Sequence, residues 1–181
     1  MKKLATILAA GVMLTASLAG VAFAEGKKIG FVWLDLSDEH SKSDEVNFIA
    51  AIEANGDTYI SADATVLSAE NSVDIKDAPQ IGVEKLFSQG SDVIIFQTSD
   101  MDSFSEAFEK YYSSDGVPFV SYGAISQNKS ILSIVAKGTK QNGSEESVIL
   151  VGHDQLPSSA ALAASELAQG KSFEDVRSAL H

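Results

Sequence analysis

The sequence contains no cysteine. That excludes disulfide bridges, thiol nucleophiles, Cys-ligated zinc and a lipid-modified N-terminal cysteine, so stability has to come from the apolar core. Basic residues are few: 13 Lys and Arg stand against 25 Asp and Glu, a net charge of −12. A chain this acidic repels phosphate backbones and anionic headgroups, which argues against nucleic acid or a membrane surface as partner. Histidine occurs only at 40, 153 and 181. The common catalytic signatures are missing too: there is no G-x-S-x-G elbow, phosphate-binding G-x-x-x-x-G-K-[ST] loop, G-x-G-x-x-G turn or H-E-x-x-H pair.

The N-terminus carries an export pattern. Met1, Lys2 and Lys3 form a short basic segment, an uncharged apolar run covers 4–21, and Ala22-Phe23-Ala24 supplies the small-x-small site that signal peptidase cuts. The expected division is a signal peptide over 1–24 and a single domain over 25–181, working in the periplasm. Loss of Lys2 and Lys3 leaves 11 basic residues against 25 acidic ones, a net charge of −14. Hydrophobic residues make up 45% of the chain, enough for a core and too many for disorder.

After the leader, strand-like and helix-like periods alternate. Residues 28–34 (KIGFVWL) read as a buried strand. Helical spacing of Val46, Phe48, Ile49 and Ile52 predicts a helix over 44–55, with Gly56 as its stop. Residues 64–68 (ATVLS) read as a second strand. A helix over 78–89, with Gly82, Val83, Leu86 and Phe87 on one face, ends at Gly90. Residues 92–97 (DVIIFQ) have the β-branched, continuously apolar character of a central parallel strand. A capping box, Ser103 with Glu106, opens a helix over 103–112, and 117–122 (VPFVSY) is a fourth strand. Residues 130–136 and 147–152 read as two further strands around a polar turn, a possible hairpin. An Ala-rich helix over 158–169 and a short one over 173–180 close the chain.

This rhythm predicts a Rossmann-like, three-layer α/β fold: a parallel sheet ordered 2-1-3-4 with helices on both faces. Ligands of such sheets sit outside the carboxyl ends of the strands, here 35–40, 68–72, 98–102 and 123–127. Most polar features also have a plain structural reading. The carboxylates Asp35, Asp38, Glu39 and Asp44 lack the spacing and central glycine of a calcium loop and suit a helix start, where acids favour the dipole. His153-Asp154 reads as a solvated strand end rather than a base or metal pair, and Trp33, inside a strand, as core.

The order of segments KKIGFVWLDLSDEHSKSDEVNFIAAIEANG, APQIGVEKLFSQGSDVIIFQTSD and GVPFVSYGAIS resembles the N-terminal lobe of the sugar-type (type I) periplasmic binding proteins of ABC transporters, nearest the xylose- and ribose-binding group. The resemblance covers most of 27–125 and, more loosely, 147–169. It implies a non-enzymatic substrate-binding protein for sugar transport or chemosensing, without cofactor or metal. Its partners would be a sugar or similar polar solute, an ABC permease or chemoreceptor, and in one arrangement a second copy of the chain. The ligand groups it implies are Asp35, Ser37, Thr98, Asp100, Tyr122 and Asp154, with Tyr122 or Trp33 available to stack on a ring.

The chain also departs from the family pattern. Tyr122-Gly123 replaces Tyr-Asp, Thr98-Ser99-Asp100 replaces Pro-x-Asn or Pro-x-Asp, and Ser37 and His40 replace basic residues of the first loop. Family members have two lobes, whereas the pattern here is that of one. Two other readings stay open: a degenerate lobe acting only through dimerisation or a protein partner, and an exported enzyme on the same fold.

The Ala22-Phe23-Ala24 site makes a direct prediction. Intact-mass analysis of the exported protein gives an N-terminus at Glu25; a mature protein beginning at Met1 refutes export by this leader.

Overall fold

The computed structural model describes residues 26–98, 116–139 and 147–180. The leader and the helix expected over 103–112 lie outside the described residues. The apolar run at the start of the domain forms β1, Lys28–Trp33, in which Ile29 to Trp33 are all buried. Asp38 then starts α1, Glu39–Ala54, by accepting a hydrogen bond from the Ser41 backbone N–H at 2.9 Å. The helix stops at Gly56, whose φ of +80° is open to glycine without strain. Of the four apolar residues expected to face inward, Phe48 and Ile52 are buried and Ile49 is half-buried, but Val46 is 66% exposed. The inward stripe takes in Asp44 and Glu45 instead, because tyrosine hydroxyls meet both carboxylates.

The second strand differs from expectation. Residues 64–68 are not a strand; they begin α2, Ala64–Asn71, and β2 is the preceding Thr58–Asp63. Asp63 makes the difference. Its Oδ1 accepts hydrogen bonds from the backbone N–H groups of Thr65 at 2.8 Å and Val66 at 3.3 Å, so the last residue of the strand is the cap of the helix. Local β-propensity in Ala-Thr-Val-Leu-Ser loses to that cap. Consequently 68–72 is the far end of α2 rather than a loop at the carboxyl end of a strand.

Helix α3, Ala78–Ser88, leads to β3, Val93–Phe96, which is buried throughout. The remaining strands are β4, Phe119–Tyr122, β5, Ile131–Ala136, and β6, Val148–Val151. A 3-10 turn, His153–Gln155, precedes α4, Leu156–Ala168, and α5, Phe173–Leu180, follows.

The six strands form one sheet in the order β2-β1-β3-β4-β5-β6, so the expected 2-1-3-4 arrangement holds for the first four. Every neighbouring pair is parallel. A hairpin between β5 and β6 is thereby excluded. The continuous burial of Ile131 to Val135 fits a parallel strand covered on both faces, where a half-exposed antiparallel strand alternates. The helix-free segment 123–130 makes the crossover from β4 to β5.

Helices cover both faces, giving three layers. On one side α1, α4 and α5 pack over a cluster that includes Ile29, Phe31, Trp33, Tyr122 and Ile134; on the other α2 and α3 contribute to a second cluster with Val32, Ile94, Phe96 and Phe119. Small residues let α4 lie close: Ala160, Ala161, Ala163 and Ala164 are all fully buried. The Asn55 amide, at the end of α1, donates to Ser165 Oγ on α4 at 3.2 Å.

Two tyrosines pin α1 over the sheet. Tyr122 on β4 donates its hydroxyl to Asp44 Oδ2, and Tyr59 on β2 donates to Glu45 Oε1, each at 2.6 Å. Trp33 Nε1–H donates to the Tyr59 hydroxyl at 2.7 Å, extending the second link into the core. Beneath them Phe31 and Trp33 stack at 3.8 Å, with Phe48 and Tyr122 packed edge-on.

Two stability predictions follow from this packing. A Cβ added at Gly82 on α3 falls 2.7 Å from Val32 Cγ1 and 3.1 Å from Cγ2. Val32 is buried and β-branched, so it cannot swing aside. Alanine in an exposed helix interior gains about 0.5–1 kcal/mol over glycine, but overpacking costs about 1–3 kcal/mol. Gly82→Ala therefore lowers the thermal midpoint, measurable by circular dichroism.

The second concerns alkaline pH. Burial, and then the hydrogen bond to a carboxylate, hold the phenols of Tyr59 and Tyr122 well above the ordinary tyrosine value. A folded-state pKa raised in this way gives stability that is complete below about pH 10 and is lost as pH rises further toward the folded-state values. In a chain carrying Tyr111→Phe and Tyr112→Phe, which leaves Tyr59 and Tyr122 as its tyrosines, absorbance at 295 nm will show both phenolates appearing only above pH ~10, with a falling thermal midpoint. Ionisation of both near pH ~10 without loss of ellipticity would contradict the buried pairing.

Candidate functional site

The carboxyl ends of β1, β3 and β4 open onto a cavity of about 390 Å³. Three connections build it, one after each strand. After β1 come Leu34 and Asp35, with Asp38 and Ser41 from the start of α1; after β3 come Gln97 and Thr98; and β4 brings Tyr122, then Gly123 and Ala124. The position is the one that a parallel sheet leaves for ligands, because helices close its faces and leave the strand ends open.

Asp35 Oδ1 accepts hydrogen bonds from both the backbone N–H of Ser37 at 2.7 Å and its hydroxyl at 2.6 Å. These bonds hold its carboxyl below the usual aspartate range, with a smaller pull from the Lys42 ammonium, so it is ionised at neutral pH. Lys42 Nζ itself donates to the Ser37 carbonyl at 3.0 Å, which closes the turn. Gln97 Oε1 accepts from the Leu34 backbone N–H at 3.2 Å and so joins the ends of β1 and β3. Asp63 Oδ2 accepts from Leu36 N–H at 3.0 Å, anchoring the same loop from the β2 side.

Among the residues singled out in the sequence, the cavity brings together Asp35, Thr98 and Tyr122. Ser37 is exposed and acts on the site through Asp35. Asp100 lies outside the described residues. Asp154, in the exposed 3-10 turn after β6, does not line the cavity. Tyr122 is 4% exposed, its hydroxyl is engaged by Asp44, and its ring packs edge-on against Phe31 and Trp33. It presents no free ring face to a sugar. Neither does Trp33, which is fully buried and bonded to Tyr59, so ring stacking by either residue is excluded in this arrangement.

Asp38 falls in the loop 35–40 that the sheet rule marks but not in the expected ligand set, and Ser41 and Gln97 fall in neither. Gln97 has a visible signal, a polar side chain ending an apolar strand. Asp38 was legible as part of a helix start, and it does cap α1; that the cap also faces the cavity depends on how α1 is seated.

No protein-family model and no curated protein matches the chain. Solved structures do resemble it. One is a protein from Mycobacterium smegmatis in complex with β-D-fucofuranose, at a TM-score of 0.50 and 16% identity, covering 61% of this chain and 35% of that one. An ABC sugar transporter subunit from Rhodobacter sphaeroides aligns at 0.49 and 21% identity, over 62% of this chain and 36% of its own. An ABC transporter solute-binding protein from Mycobacterium smegmatis with bound glycerol aligns at 0.48 and 17%, over 57% and 33%. The chain thus matches about a third of the length of each. At these identities the likeness is one of fold: a three-layer α/β unit with a parallel sheet, of the kind found in the fucofuranose-bound protein.

Proposed function

We propose that this chain is a non-enzymatic recognition lobe for a small polyhydroxylated solute, a sugar above all, serving ABC import or chemosensing in the periplasm. The observation that carries the reading is the composition of the cavity at the carboxyl ends of β1, β3 and β4. Asp35, Asp38, Gln97 and Thr98, all residues with polar side chains, line it. Carboxylates suit sugars because each oxygen accepts hydroxyl protons, and amide and hydroxyl groups both donate and accept. The fold is one on which a sugar-bound protein has been solved, which supports the reading. An exported location follows from the leader pattern alone.

Residues 25–181 act in this reading as one lobe, so the cavity is half of a site. A ligand in it keeps one side in water, and burial has to come from a second lobe or from a second copy of the chain facing the first. The two positions where the family places an acid and basic residues, here Gly123 and the Ser37–His40 loop, weaken the half-site further. Asp100 belongs to the same proposed ligand set as Asp35, Thr98 and Tyr122. Asp154, in the ligand set that the resemblance implies, does not line the cavity.

Titration calorimetry with a panel of pentoses and hexoses tests this. Each charged hydrogen bond lost is worth roughly 1.5–3 kcal/mol, so the isolated chain binds in about the millimolar range rather than the micromolar one. Asp35→Asn weakens whatever binding there is by about tenfold or more without changing the ellipticity. If no sugar in the panel binds at any protein concentration, sugar recognition by this chain is refuted. A tight complex of one monomer with one sugar would refute the half-site.

A further inference from the structure

We propose that His40 and His153 form a two-imidazole site for a divalent transition-metal ion of the zinc type at the carboxyl edge of the sheet. His40 lies in the first turn of α1 and His153 opens the 3-10 turn after β6. Both side chains are exposed, and among the described residues neither ring is held by a hydrogen bond. Their ring centres are 5.3 Å apart with the planes 33° from parallel.

That separation fits a shared metal. Zinc binds imidazole nitrogen at about 2.0–2.1 Å, and with each ring centre about 1.1 Å behind its nitrogen, two rings on a tetrahedral ion have centres about 5.2 Å apart. The charge environment favours a cation. Asp38 and Glu39 precede His40, Asp154 follows His153, and the chain carries a net charge of −12. Imidazole donors select zinc, nickel or copper over magnesium and calcium, which prefer oxygen. Among the described residues no group of three or more His, Cys, Asp or Glu is arranged to hold a metal. The protein therefore supplies two ligands, and water or a partner's donor completes the shell. A metal there ties the start of α1 to the turn after β6. It binds the folded state, where the two rings meet, and so raises thermal stability.

The test uses the chelator-treated chain carrying no added histidines, titrated with zinc chloride by calorimetry, with thermal midpoints in zinc and in magnesium. Expected is saturable one-to-one zinc binding and a midpoint raised by zinc and not by magnesium. His40→Ala and His153→Ala each weaken zinc at least about tenfold, the scale of losing even a supporting partner of a metal ligand, and leave the metal-free midpoint unchanged. His181→Ala has no effect. Copper(II) bound in place of zinc shows two nitrogen donors by electron paramagnetic resonance. Absence of saturable zinc binding, or binding that survives both single variants or depends on His181, overturns the site.

Discussion

The seating of α1 on the sheet is the constraint from which the site follows. Asp44 and Glu45 are neighbours in sequence, yet their carboxylates reach Tyr122 on β4 and Tyr59 on β2, strands on opposite sides of the β1–β3 pair. A helix held by two adjacent residues pulling in opposite directions cannot roll about its axis. Its first turn is thereby fixed over the ends of the strands, and Asp38 and Ser41 arrive at the cavity as a result. The hydrogen bonds are short and half-buried, and the apolar stack of Phe31 and Trp33 beneath them keeps water away from the phenols.

Asp63 completes the frame from the other edge. One oxygen turns β2 directly into α2, and the other holds the Leu36 amide of the loop that carries Asp35. A single carboxylate thus sets both a helix start and the height of the site's first loop. With Gln97 bridging to Leu34, the loop after β1 is tied on both flanks before any ligand enters. A loop ordered in advance would add little entropic cost to the binding proposed at Asp35 and Asp38.

Much of this architecture was legible in the residues. Continuous apolar runs marked β1 and β3 as buried parallel strands, Gly56 and Gly90 marked helix ends, and the small residues of α4 marked a closely packed helix. What was not legible depended on tertiary partners. Ala-Thr-Val-Leu-Ser carries β-branched residues and reads as a strand until the capping power of Asp63 is set against it. Val46 sits at helical spacing with Ile49 and faces water, because two tyrosines elsewhere in the chain choose the side of α1 that turns inward. The same applies to the site: Asp35 and Thr98 follow strands and could be named from the sheet rule, whereas Tyr122, the last residue of β4, was named only through the family resemblance. Asp38 lay in the marked loop 35–40 but was read as a helix start; Ser41 required the pose of α1, and the commitment of the Tyr122 hydroxyl required Asp44.

The all-parallel sheet also has a kinetic side. With no hairpin among its strand pairs, the sheet cannot begin from a local turn, and each pairing has to close a loop before hydrogen bonds repay the lost entropy. The closures are unequal. Phe119 pairs with Ile131 across the short helix-free crossover, whereas Ile29 meets Val93 only after α1, β2, α2 and α3 have been laid down between them. Chain entropy therefore favours assembly from the β4–β5 side, with β1 entering the middle of the sheet late. The cavity, which needs the ends of β1, β3 and β4 together, is then among the last features of the molecule to form.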